Sequence, residues 1–323
     1  MKIDVNCIKN MRILNIGTGR EAVAFANSGA KKIDHFDYSI QNVERLKTFI
    51  QNNNLNEIIV TKNVDIVDYE LPSIYYDLIY THGVIQHFSH PGKGLKNLIN
   101  SMNEKGIIWL YFYRSGTFQN FCIELIRDLI ENTKNSDLYY VASSLICSDK
   151  PSNLYISGFM DSCFAEYCNF FTPESYISYI KKCGLEIISS SKLDPINTDI
   201  DHKYAHPSTI LIGRREKISD LHLDIDILSH KQSINQLDED IYSNYVYHKL
   251  LTSLIKQYNQ VKQLLNENTK NDIIIFLLAY RIYEIERDAY EDYLAKNCYD
   301  LDKYYSLLKS TFIDLVAKLK KKS

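Results

Sequence analysis

The feature that most constrains the fold is a recurring unit: a short apolar run that stops at a glycine or an acid, followed by a helix-patterned segment. Residues 12–16 (RILNI) end at Gly17. Residues 20–28 (REAVAFANS) carry apolar side chains at helical spacing and stop before Gly29, so strand, turn, helix and helix stop follow in order. The unit then repeats. Residues 33–37 read as a strand, Ser39 as a helix N-cap, and Val43, Leu46, Phe49 and Ile50 as the buried face of the next helix. Residues 58–61, 76–83 (YDLIYTHG) and 106–113 (GIIWLYFY) supply a third, fourth and fifth strand, with a helix over 94–102 between the last two. Strands that alternate with helices predict a parallel sheet covered on both faces.

Residues 114–170 break the rhythm with an insertion that holds one good helix, 118–130, and then an aromatic, loop-rich stretch, the pattern of a lid over a site. Beyond it the segment 171–189 resumes the alternation. Thr172 reads as a cap, Pro173 takes the first helical position, and Gly184 stops the helix before a sixth strand. Residues 208–213 (STILIG) make the seventh. From about residue 216 the chain has no glycine and reads as helical, with helices over 240–265, 272–294 and 301–319 and a polar connection from Asn266 to Asn271. The expected organisation is a domain over 1–214 with the 114–170 insertion as its lid, and a helical C-terminal domain over 215–323 used for packing or dimerisation.

Composition narrows the function. With 323 residues, 45% hydrophobic and 24% charged, the chain can bury a proper core. A net charge of -3 and the lack of a basic stripe, apart from Lys320 to Lys322 at the end, argue against nucleic acid or an anionic membrane as the main partner. No apolar run approaches the eighteen or so residues needed to span a bilayer, and the N-terminus lacks a signal-peptide core, which leads to a cytoplasmic expectation. Seven cysteines without a Cys-x-x-Cys pair point to reduced thiols rather than to a disulfide framework or a zinc site.

The stretch ILNIGTGREAVAFANSGAKKIDHFDYS (13–39) carries the sharpest signal. A glycine turn between strand and helix lets backbone approach a ligand and aims amide groups at it. A carboxylate at the end of the next strand, Asp37, can accept from both hydroxyls of a ribose. A nucleoside-bearing cofactor follows. Dinucleotide folds want a third glycine where pyrophosphate meets the helix; here the start of the helix holds Glu21, whose charge disfavours phosphate and favours a phosphate-free ligand such as S-adenosylmethionine.

Five segments together resemble the class I S-adenosylmethionine-dependent methyltransferases. They are ILNIGTG, DHFDYS, NVDI (63–66), YYDLIYTHGVIQHFSHP (75–91) and NEKGIIWLYFY (103–113). The later NFFTPESYISYIKKCGLEI resembles the segment after the lid in small-molecule and glycan methyltransferases. The resemblance implies a Rossmann-like, doubly wound, mostly parallel seven-stranded α/β sheet with a helical C-terminal appendage. It implies that Gly17, Thr18 and Gly19 cradle the methionine moiety, that Asp37 grips the ribose, and that Tyr38 stacks on the adenine. Asp65 would accept from the adenine amino group, Ile66 would add a backbone contact, and Thr81 would line the floor beneath the sulfonium. The family usually has an acid where this chain has Asn15, which can still hydrogen-bond the cofactor's amino group directly or through water but brings no charge.

In-line methyl transfer requires collinear positioning and, for a hydroxyl acceptor, removal of a proton. His82, His87 and His90 follow strand four, and His87 occupies the position where the family often has a histidine facing the substrate, so it is the expected general base. No carboxylate joins the three histidines at a metal-ligand spacing, and no metal is expected. Tyr111, Tyr113, Phe170 and Phe171 flank the lid as candidates for an apolar acceptor pocket, and Glu166 and Tyr167 lie close by in sequence. The expected activity is methyl transfer to oxygen or nitrogen of a small-molecule or sugar-like acceptor. The alternative is a protein that keeps the fold as a binding scaffold without turnover.

Overall fold

The computed structural model describes residues 5–113, 118–131, 162–170, 173–190, 208–215, 256–261, 263–264, 272–296 and 300–320. In chain order the elements are β1 (Arg12–Ile16), α1 (Arg20–Asn27), β2 (Lys32–Asp37), α2 (Ile40–Asn52), β3 (Ile59–Asn63), β4 (Tyr76–His82), α3 (Pro91–Ser101) and β5 (Met102–Tyr113). They continue with α4 (Phe118–Glu131), α5 (Pro173–Lys182), β6 (Leu185–Ser190), β7 (Ser208–Arg215), α6 (Asp272–Lys296) and α7 (Leu301–Lys320). Single turns of 3₁₀ helix occupy Val5–Ile8 and Ile85–His87.

All seven expected strands form one sheet in the order β3-β2-β1-β4-β5-β7-β6. Ladders from β3 through β5 are parallel, and β7 runs antiparallel to both β5 and β6. The fold is therefore the Rossmann-like, doubly wound, mostly parallel α/β sheet that the sequence implied. Because β1 lies between β2 and β4, the chain winds one way to β3 and then crosses back to continue on the other side. A cleft opens at such a reversal, beyond the carboxyl ends of the strands.

Period-two alternation divides the core into two layers. Ile13, Ile33, Ile59 and Leu78 face Ala22 and Phe25 of α1 and Leu46 and Ile50 of α2. On the other face Leu14, Ile16, Phe36, Ile79, Ile108, Leu110 and Phe112 meet Leu95, Leu98 and Ile99 of α3 and Tyr176, Tyr179 and Ile180 of α5. Local signals end these helices as expected. The Ser39 hydroxyl accepts from the Asn42 N–H at the start of α2, and Gly29 and Gly184 take φ of 85° and 75° after α1 and α5. Thr172, the expected cap of α5, lies outside the described residues.

Two local expectations are corrected. Phe49 is 46% exposed, whereas Val43, Leu46 and Ile50 are buried. At 100° per residue it sits roughly 90° round the axis from the centre of that face. Helix α3 begins at Pro91, with His90 at the N-cap, and not at residue 94. Gly94 is instead a packing position, where a methyl group would run into the ring of Phe88.

The described elements divide into two compact units: the sheet with α1, α2, α3 and α5, and the helices α4, α6 and α7. Helix α4, read from the sequence as part of a lid, thus groups with the C-terminal helices. Within that unit Leu125 and Ile126 of α4, Ile282 and Ile285 of α6, and Leu308 and Phe312 of α7 are buried. The Tyr258 hydroxyl donates to Asp128 at 2.5 Å, and Arg127 donates to the carbonyl of Ala165 at 2.7 Å. Of the helix expected over 240–265, residues 256–261 and 263–264 are helical; its remainder, and the 266–271 connection, lie outside the described residues.

Arg215 is the last residue of β7. Its buried guanidinium lies 2.9 Å from the carbonyl of Ile99 and 2.8 Å from that of Met102, capping the C-terminal end of α3. Replacing it by alanine leaves buried carbonyls without a donor, and Arg215→Ala is expected to lower unfolding free energy by about 2–3 kcal/mol. Urea denaturation followed by far-UV circular dichroism checks this, and an unchanged midpoint would contradict the capping role.

Candidate active site

The site is built around the bend that follows β1. Register sets Ile16 beside Phe36 of β2 and beside Thr81 of β4, so Gly17 stands next along, between Asp37 and His82. Gly17 has φ 133° and Gly19 φ 81°, backbone states that side chains strongly disfavour. Space is also lacking. A methyl group on Gly19 would lie 2.8 Å from Leu46 of α2, and one on Gly17 would lie 3.3 Å from Val84 and 3.6 Å from the His82 carbonyl. Gly19 is the N-cap of α1 without a side-chain cap bond, so the first amide groups of that helix face the ground over the bend. Thr18 is exposed at the tip, and Glu21 occupies the first turn.

Asp37 is held firmly. Its Oδ1 accepts from the Ser39 N–H at 2.7 Å and its Oδ2 from the Asn42 amide at 3.0 Å. The two bonds fix the plane of the carboxylate. The Asn63 amide donates to the carbonyls of Asp37 and Tyr38 at 3.1 and 2.7 Å, pinning the end of β3 to the end of β2. Tyr38 is 75% exposed, which leaves its ring open for stacking. Asp65 accepts from the Val67 N–H at 2.9 Å through one oxygen. The Ile66 carbonyl accepts from Asn97 at 2.8 Å.

Beneath the bend lies a pair that sequence reading did not find. Asn15 and His35 are fully buried cross-strand neighbours, and His35 Nδ1 lies 2.8 Å from Asn15 Oδ1. Since that oxygen can only accept, Nδ1 carries the proton. Burial pushes the imidazole down to about 4 from its ordinary 6.5, with the Asn15 bond opposing the shift, so the ring is neutral at physiological pH. The Asn15 carbonyl is thereby committed, and its NH2 is what remains for another partner.

On the far side of the bend, Thr81 is buried and donates to the Trp109 carbonyl at 3.3 Å. His82 is exposed and stacks on Tyr111 with ring centroids 4.3 Å apart. His90 sits at the start of α3. His87 closes the 3₁₀ turn after β4, its Nδ1 2.8 Å from the Tyr167 carbonyl and its ring edge-on to Tyr113. The Nδ1 proton therefore points at Tyr167, and in the neutral ring Nε2 is the basic nitrogen.

Asn169 fastens the same turn: its N–H donates to the Gln86 carbonyl at 2.7 Å, and its side-chain amide donates to the Gln86 and Phe88 carbonyls at 3.1 and 2.9 Å. Tyr167 is 39% exposed and Phe170 is buried, while Phe171 lies outside the described residues. Glu166 is exposed, with its carbonyl near Arg127. Among the described residues no cysteine forms a disulfide, no cluster of three His, Cys, Asp or Glu side chains is placed to hold a metal, and no helix is long and apolar enough to cross a membrane.

Residues 14–110, from β1 to β5, match the family model of a methyltransferase domain. No curated protein matches the chain. Among solved structures the chain is similar to an S-adenosylmethionine-dependent methyltransferase from Mesorhizobium loti, at 12% identity and a TM-score of 0.45 over 64% of this chain and 92% of that one. It is also similar to the YcgJ protein from Bacillus subtilis, at 15% identity and a TM-score of 0.43 over 65% and 93% of the two chains. A third is a geranyl diphosphate C-methyltransferase from Streptomyces coelicolor A3(2), at 7% identity and a TM-score of 0.42 over 63% and 70%. The matched segment contains the glycine bend, Asp37, Asp65 and the turn with His87.

The His35 environment has a consequence for stability. Unfolding returns the imidazole to its ordinary value, so the unfolded chain binds a proton below about 6.5 that the native chain takes only near 4. The sign is destabilising on acidification: stability is full above about pH 7 and falls as pH drops from 6.5 towards 4, by about 3 kcal/mol in all. Urea unfolding between pH 7 and 5 should show this slope in the native sequence and its loss in His35→Gln. An equal slope in both would contradict it.

Proposed function

We propose that the protein transfers a methyl group from S-adenosylmethionine to oxygen or nitrogen of a small-molecule or sugar-like acceptor. S-adenosylmethionine is the cofactor, consistent with the methyltransferase-domain match over residues 14–110. The observation that carries the reading is the side-chain-free bend at Gly17 to Gly19 with Asp37 beside it in register. These residues fit the group: the bend admits a main-chain-sized tail, Glu21 keeps phosphate away, and the braced carboxylate of Asp37 stands beside the bend, an acceptor of the kind ribose hydroxyls need. Tyr38 offers its open face to adenine, Asp65 and the Ile66 N–H take its polar edge, and Asn15, Gly17, Thr18 and Gly19 receive the amino-acid end. Thr81 lines the floor.

When bound, the cofactor supplies an electrophilic methyl group. The chain's own part is to align the acceptor and to take its proton. We assign the second to His87: with its Nδ1–H held by the Tyr167 carbonyl, the basic nitrogen is Nε2, which is buried beside the turn after β4. Tyr111 and Tyr113 wall the acceptor side, and the C-terminal helices serve packing or dimerisation.

Calorimetry tests the cofactor site. S-adenosylmethionine should bind with micromolar affinity, and Asp37→Ala, which removes two charge-assisted hydrogen bonds, should weaken it by about 100-fold. Unchanged affinity would overturn the assignment. With a panel of hydroxyl and amine acceptors, His87→Ala should cut the release of S-adenosylhomocysteine by about 10²–10⁴-fold while cofactor affinity holds.

A binding scaffold without turnover is the second reading, favoured by Asn15, whose carbonyl is committed to His35 and which brings no charge. Mass spectrometry of the purified protein decides between them. An enzyme carries S-adenosylmethionine or its demethylated product, and a scaffold carries neither.

A further inference from the structure

Two rungs of the sheet lie on the same face, two residues apart along β1, β2 and β3. The lower one sets Ile13, Ile33 and Ile59 side by side, and all three are buried and apolar. The rung nearer the bend sets Asn15, His35 and Thr61 side by side. It is polar although Asn15 and His35 are fully buried. Asn15 Nδ2, His35 Nε2 and Thr61 Oγ1 have no hydrogen-bond partner among the described residues. Burying such atoms unpaired costs stability, and apolar side chains of similar shape would avoid that cost. Packing alone therefore does not account for this rung.

Its place in the cradle does. Asn15 stands two residues before Gly17, and His35 two residues before Asp37. The 2.8 Å bond between His35 Nδ1 and Asn15 Oδ1 therefore joins the strand that leads to the bend with the strand that leads to the acid. Strand β1 ends at Ile16, and its last rung with β2 sets Ile16 beside Phe36. Beyond that rung the chains go separate ways: the bend turns into α1, while Asp37 is braced by Ser39 and Asn42 at the start of α2. The far edge of the imidazole also reaches the bend, since a methyl group built on Gly19 would lie 3.4 Å from His35 Nε2. One side chain thus holds Asn15 by one edge and stands against Gly19 with the other.

We propose that His35 is a positioning residue of the cofactor site: bound to Asn15 and set against Gly19, it fixes the bend at the distance from Asp37 that a ligand spans between its amino-acid end and its ribose. This rests on the methyltransferase reading above. His35 is buried and touches no ligand; it acts through Asn15 and the main chain of the bend. A ligand that engages both the bend and Asp37 is sensitive to their spacing, whereas one that engages Asp37 without the bend is not.

S-adenosylhomocysteine is a ligand of the first kind. 5′-Methylthioadenosine, with the same adenosine and thioether but no amino-acid end, is one of the second. Calorimetry compares the two in the native protein, in His35→Phe and in His35→Gln. Phenylalanine keeps a flat ring beside Gly19 but has no donor for Asn15, and glutamine returns a donor. His35→Phe should bind S-adenosylhomocysteine about tenfold more weakly and 5′-methylthioadenosine within about twofold of the native protein, and His35→Gln should recover most of the loss. Equal weakening of both ligands in His35→Phe, weakening of neither, or a His35→Gln variant no tighter than His35→Phe would overturn the proposal and leave the cofactor reading standing. Failure of the native protein to bind S-adenosylhomocysteine would remove that reading and the proposal with it. If His35→Phe does not fold, native protein carrying nitrogen-15 histidine decides the matter. The His35 Nδ1–H resonance, assigned by its loss in His35→Gln, should shift with S-adenosylhomocysteine and hold still with 5′-methylthioadenosine. A resonance indifferent to both, or moved alike by both, would overturn the proposal.

Discussion

The bend at Gly17 to Gly19 is the constraint on which the rest depends. It is where the chain leaves the central strand and turns into α1, and it does so with Leu46 on one side and Val84 and the His82 carbonyl on the other. A side chain at Gly19 would be refused by both space and backbone angle. Because β1 lies between β2 and β4, this turn lies at the reversal of the sheet, the place where strand ends diverge and a cleft opens. Helix α2, the turn after β4 and the bend are therefore one packing problem, and Asp37 and His87 are positioned by its solution.

Polar groups around the bend are neutral where the sequence resemblance leads one to expect charge. The family acid is replaced by Asn15, and beneath it a neutral His35 holds the amide in one orientation. A charge at that depth would be costly in the absence of a partner, whereas a neutral cross-strand amide–imidazole pair meets half of its own hydrogen-bonding needs. Asp37, by contrast, is charged and only part-buried, and Ser39 and Asn42 brace it.

Much of the fold was legible. Short apolar runs and helical spacing located all seven strands, and Ser39, Gly29 and Gly184 act locally as their types suggest. Errors arose where a local pattern has two solutions. Phe49 fits an apolar helix face on spacing, but that face is already filled by Val43, Leu46 and Ile50. Gly94 reads as a helix boundary when taken alone, yet it lies inside α3 because Phe88 packs on it. Of the candidate site, the positions of the glycine bend and of the strand-end acids were legible, since those follow from chain geometry. His35, Asn169 and Arg215 escaped notice, because each acts on a residue at least 20 positions away or through burial that no nearby residue reports.

By itself the sequence determined the alternating architecture, the glycine bend and the acid about twenty residues on, because hydrophobic periodicity and backbone angles are properties of neighbours along the chain. Only the tertiary structure decided that His35 commits the Asn15 carbonyl, that Tyr167 orients His87, and that α4 belongs with the C-terminal helices. Those outcomes depend on which groups are brought together across the sheet and how deeply they are buried, and burial and hydrogen-bond partners are set by packing rather than by position in the chain.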